Sequence, residues 1–259
     1  MKIKWKLFLV LLALSIWGII AIIPYTLTIQ GGLPTNLPVP VYVLLTIQII
    51  QNTLLFAVAI FLGLTISKKV GLKLPILEGW LEGREVKQYL KSILGISVGL
   101  GILAGALIIG LDYLFSLLGL TSTLASVTQI YPPAWQGFLA SFYGGINEEI
   151  LLRLFLMSLL VWIFFKIKRT DNGKPTRTGS WLAIILAAVI FGVGHLPALL
   201  LVTPLTIPII ARVIILNAVG GIIFGWLYWK KGLESAMVSH FSADIILHVI
   251  LPLAVLGGF

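Results

Sequence analysis

The segment Gly144-Gly145-Ile146-Asn147-Glu148-Glu149-Ile150-Leu151-Leu152-Arg153 sets two glutamates and an arginine in the middle of an apolar run from Trp135 to Ile167. A run of that length exceeds the roughly 20 helical residues that cross a hydrocarbon core. Ionisable groups at such depth are expensive, so they are paired or line a polar cavity. On an α-helix Glu149 and Arg153 lie about 40° apart, at charge-pair spacing, whereas Glu148 and Arg153 point about 140° away from each other. The spacing therefore predicts a Glu149–Arg153 pair and leaves Glu148 free to face another helix. A buried pair of this kind can hold helices in register or serve chemistry, and both readings stand at this point. An unpartnered glutamate such as Glu148 points to function.

The rest of the chain fits a bilayer. Of its 259 residues, 59% are hydrophobic and 10% charged, and the mean hydropathy is +1.09. This composition predicts an all-α polytopic membrane protein with about seven transmembrane helices, forming one membrane domain over 1–259 with a catalytic core at about 136–250. The net charge of +9 does not imply a nucleic-acid partner, because the basic residues cluster in short loops between apolar runs. There are no cysteines, which excludes disulfides, thiol nucleophiles and thiolate metal sites. Lys2, Lys4 and Lys6 followed by Leu7 to Ile23 resemble the start of a signal peptide. The apolar stretch is too long and no small-x-small cleavage site follows, so an uncleaved first span is expected.

Taken in order, the expected spans are about Leu7–Ile29, Val41–Ser67, Ser92–Leu118, Trp135–Ile167, Trp181 onward, Leu205–Trp229 and Leu233–Leu256. Between the second and third, Leu77 to Leu90 mixes apolar residues with Glu78, Glu82, Glu85 and Lys87. That pattern suits either an amphipathic helix on the membrane surface or a solvated connector. In the third span Gly95, Gly99, Gly101 and Gly105 give small-xxx-small spacing twice, a packing signal. Pro197 predicts a break or kink in the fifth span near His195. Basic loops at Lys2–Lys6, Lys68–Lys91, Lys166–Arg177 and Lys230–Lys231 alternate with uncharged ones. This alternation places the N-terminus in the cytoplasm and the C-terminus outside the cell membrane. A reporter fused after Asp171 is expected to read cytoplasmic and one after Phe259 external. An external signal at Asp171 would overturn this topology.

The ionisable residues deep in the last four spans are Glu148, Glu149, Arg153, His195, His240, Asp244 and His248, with Arg212 nearer an end. At about 1.5 Å per residue, Glu148 lies about 20 Å from the outer boundary, and His195 and His240 about 21 and 14 Å from the inner one. In a core of about 30 Å these depths fall within roughly 10 Å of one another. His240 and Asp244 share a helix face; read as a structural pair, Asp244 would hold His240 in one tautomer, while Glu and His from three helices at similar depth point to a functional cluster. His248 lies one turn beyond the cluster and reads as a satisfied core histidine.

Glu148-Glu149-x-x-x-Arg153, Phe191-x-x-x-His195 and His240-x-x-x-Asp244, in that order on separate spans, resemble the three motifs of the type 2 CAAX prenyl protease family, also called CPBP or Abi. The resemblance covers about Gln136 to Ile250. It implies an endopeptidase with its active site buried between spans four, five and seven, cutting a membrane-associated peptide or protein, prenylated or not. By that analogy Glu148 is the general base that activates water and His195 helps orient it. His240 and residue 244 would then stabilise the oxyanion. The family often carries Asn where this chain has Asp244, and an ionised Asp cannot donate to an oxyanion. Asp244 is therefore protonated, orients His240 or binds a metal.

Three other readings compete. Glu148, His195 and His240 make a Glu/His₂ set of the kind catalytic zinc uses, with one position left for water. The resemblance carries a glutamate-activated water instead, and no HExxH pair is present, so no cofactor is assigned and zinc is kept as the alternative. Buried Glu/His chains also serve proton or solute relays, though transport folds show internal repeats and none is evident. A non-catalytic immunity protein would keep the motifs as structural relics.

Overall fold

The computed structural model describes residues 4–32, 38–120, 132–200 and 203–256. Among the described residues seven helices are long and apolar enough to cross a membrane: Trp5–Ile29, Val41–Lys69, Lys87–Leu117, Ala134–Ile167, Arg177–Leu200, Ile207–Lys231 and Leu233–Ala254. No strand is found among the described residues. Helices satisfy their own backbone polar groups, which is what permits them in lipid. Hydroxyls in the spans fold back in the same way. Thr46 and Thr65 donate to the carbonyls of Tyr42 and Phe61, each at four residues' distance, so neither meets hydrocarbon with a free proton.

The fourth span lies at the centre, against the first, second, fifth, sixth and seventh. The third packs on the sixth and seventh. Close approach is made by small residues. A side chain at Gly101 would strike the carbonyl of Ser239, and one at Gly105 would press on Ile246 at 2.9 Å. Ser97 and Ser235 share a buried hydrogen bond of 2.6 Å across the same interface. Gly95 and Gly99 face open space, so only half of the glycine stripe is a packing device. A Cβ on Gly221 would fall 2.8 Å from Ala188 Cα and one on Gly225 3.1 Å from Ile184, so these glycines let the sixth span seat on the fifth.

Between the helix and connector readings of Leu77–Leu90 the structure falls midway: a short helix runs Pro75–Leu81, and the third span begins at Lys87. Glu234 fixes where the short helix starts. Its Oε1 accepts the amide protons of Ile76 and Leu77 at 3.0 and 2.8 Å, capping the first turn of the connecting helix from the seventh span. Leu233 N–H donates to the Lys73 carbonyl at 3.1 Å beside it. Of the break or kink expected near His195, the break does not occur: the fifth helix continues through Pro197 to Leu200.

Candidate active site

The fourth span is not α-helical where the charges sit. Tyr143–Glu148 and Ile150–Met157 are wound as π-helix, with Ser158 N–H reaching back five residues to the Arg153 carbonyl. Wider turns of this kind concentrate at functional sites. They also change the facing: residues five apart now stand one turn apart, so Glu148 is no longer turned away from Arg153. Both glutamates reach the seventh span.

His240 joins them. Its Nδ1 lies 2.8 Å from Glu149 Oε1, and the same oxygen is 3.1 Å from Arg153 Nη1. Its Nε2 lies 3.5 Å from Glu148 Oε2 and 3.6 Å from Asp244 Oδ1, beyond hydrogen-bond contact with either. The expected Glu149–Arg153 pair is therefore present, but Glu149 serves two partners on two helices. The residue that fixes the imidazole is Glu149 rather than Asp244, as the sequence had suggested. Glu149 is fully buried, while the Glu148 side chain keeps 23% of its exposure. The structural anchor and the accessible carboxylate are thus adjacent in sequence.

Aromatic rings frame the cluster. Phe224 stacks on His240 at 4.5 Å and 19°, and its ring also lies 5.5 Å from the Arg153 guanidinium. Phe191 faces Arg153 from 5.1 Å and stands edge-on to both His240 and His195, at 5.7 and 4.7 Å. Arg153 is thereby held between two rings, and its Nη2 donates to the Gly221 carbonyl at 3.3 Å. The sequence motif contained Phe191 but gave no sign of Phe224, which lies on a span outside all three motifs.

His195 stands beside this group. Its Nδ1 is 2.8 Å from the Phe191 carbonyl, and among the described residues no ion pair joins it to Glu148, Glu149 or Asp244. Among the same residues no group of three or more His, Asp or Glu side chains is placed to hold a metal ion. The alternative zinc set of Glu148, His195 and His240 is not gathered in this arrangement. His248 bonds Tyr25 Oη at 3.0 Å. Arg212 pairs with Asp112 of the third span, a partnership the sequence reading left unassigned.

All of this depends on how closely spans four and seven approach. A Cβ on Gly144 would run into Asp244 Oδ2 and come within 3.2 Å of His240 Nε2. Gly144→Ala is therefore expected to push Asp244 or His240 aside and lower turnover by about ten- to a hundredfold. The measurement is peptide hydrolysis alongside a thermal melt; an unchanged rate would show that the approach does not set the geometry.

Residues 130–246 match the Type II CAAX prenyl endopeptidase Rce1-like family. The Rce1-like segment takes in Glu148, Glu149, Arg153, His195, His240 and Asp244, and it ends before His248. The family is one of peptidases. A multi-pass membrane protein with such a segment is consistent with a membrane-associated substrate. No curated protein and no solved structure matches the chain.

Proposed function

We propose that the chain is an intramembrane endopeptidase that hydrolyses a peptide bond of a membrane-associated protein or peptide. The observation that carries this is the environment of His240. One ring nitrogen is tied to Glu149 at 2.8 Å, and the other faces Glu148 at 3.5 Å and Asp244 at 3.6 Å. A water held by Glu148 gives it a proton as the water oxygen attacks the scissile carbonyl carbon. As imidazolium, His240 donates Nδ1–H to Glu149 and keeps Nε2–H for the oxyanion. When the C–N bond breaks, the proton on Glu148 passes to the leaving nitrogen, which regenerates the Glu148 carboxylate and releases a carboxylic acid and an amine; the acid then gives its proton to the amine. His195, fixed through Nδ1 by the Phe191 carbonyl, presents Nε2 to orient the water, and Asp244, 3.6 Å from His240 Nε2, leaves room for the oxyanion between them.

The uncharged and basic loops support an N-terminus in the cytoplasm and a C-terminus outside the cell membrane. The test of the activity is purified protein in vesicles with a library of membrane-anchored peptides, prenylated and not, with and without chelator. Products with new amino and carboxyl ends, absent from empty vesicles, are the expected result. No cleavage of any peptide would overturn the proposal. Chelator-sensitive cleavage restored by zinc would move the chemistry to a metal.

A further inference from the structure

A cavity of about 380 Å³ opens far from the glutamate–histidine cluster, where the first span begins and the second ends. Lys4, Lys68, Lys73 and Arg84 line it, against one carboxylate, Glu78. Lys4 is also paired with Glu78 and Glu82, and Arg84 with Glu82. Lys68 and Lys73 join no ion pair among the described residues and are exposed. Counting both glutamates, the site keeps a surplus of two positive charges. Beside the cations lie Leu7 and Leu64. Leu7 is three residues inside Lys4, and Leu64 four residues inside Lys68, so the apolar part sits about one helical turn deeper in the membrane than the cationic rim.

We infer that this cavity binds the phosphate of an anionic phospholipid, with the headgroup between Lys68 and Lys73 and the upper acyl chain along Leu7 and Leu64. A free phosphate anion shares the headgroup's chemistry but has no use for the apolar wall. Basic pockets between spans at a membrane face recognise anionic headgroups in this way, and ammonium–phosphate contacts are charge-assisted. Gly71, at φ +77°, makes the turn that carries the chain from Lys68 to Lys73. Lys69 points elsewhere, 5.8 Å over the Trp162 ring, and serves as the control.

The experiment is native mass spectrometry of the purified full chain, titrated in detergent with phosphatidylglycerol or with phosphatidylcholine. The first phosphatidylglycerol is expected to bind at least about tenfold more tightly than phosphatidylcholine. K68Q/K73Q is expected to lose roughly tenfold or more of that affinity, and K69Q to keep it. Lys73→Glu, a single change at an exposed position, provides a second variant, and melting temperatures check that each protein is folded. Equal binding of the two lipids would overturn the inference, as would wild-type affinity in both Lys73 variants. Displacement of the bound lipid by millimolar inorganic phosphate would assign the pocket to a soluble anion and overturn it too.

Discussion

Glu148→Gln is expected to slow peptide hydrolysis by at least about a hundredfold while leaving the fold intact. The amide keeps the shape and the contact distance to His240 but cannot take a proton from water, and a positioned general base contributes about 10² to 10⁴ in rate. The fold should survive because Glu148 is the most exposed of the three acids. It makes no hydrogen bond within the described residues, and its nearest charged neighbour, His240 Nε2, is 3.5 Å away. Glu149 and Asp244 remain in the variant, so a general loss of negative charge cannot account for the effect. The check is turnover of one identified substrate by wild type and variant at matched folded concentration. Equal turnover would remove Glu148 from the chemistry.

Arg153→Ala carries the second large effect, on stability. The guanidinium is 1% exposed and Glu149 is fully buried, so truncation strands a carboxylate in the interior. Breaking a buried pair from one side costs about 3–5 kcal/mol. The loss also empties the space between Phe191 and Phe224 and frees the Gly221 carbonyl. Lower yield and a lower melting temperature in detergent are expected. A double change, Arg153→Met with Glu149→Gln, removes both charges and should recover most of the stability. It should not recover activity, because His240 Nδ1 then loses its anionic partner. An Arg153→Ala protein that melts like wild type would end the pairing argument.

The seven spans and the three motifs could be read from the sequence because hydropathy and charge spacing report directly on membrane burial. What escaped was the backbone winding. Glu148 looked turned away from Arg153 only on α-helical geometry, and nothing in Gly144–Arg153 announces a π-turn. For the same reason His240 was paired with Asp244 along its own helix. The bond to Glu149 crosses between helices, and only the packing that Gly144 permits brings the two together. The partnership of Asp112 with Arg212 spans one hundred residues, a separation at which spacing rules are silent. Phe224 carried no signal either, since a phenylalanine in a lipid-spanning helix is unremarkable until its neighbours are known.

The contact made by Glu234 ties two distant motions together. Residues 233 and 234 hold Lys73, Ile76 and Leu77 by three hydrogen bonds, one between backbones and two to the Glu234 carboxylate, and they open the same helix that bears His240 about 9 Å further on. That helix acts as a lever whose short arm is the connecting segment outside the membrane and whose long arm carries the imidazole. A tilt that widened the gap between spans four and seven to admit a peptide would drag the connecting segment with it. Force applied to that segment would in turn be felt at the imidazole.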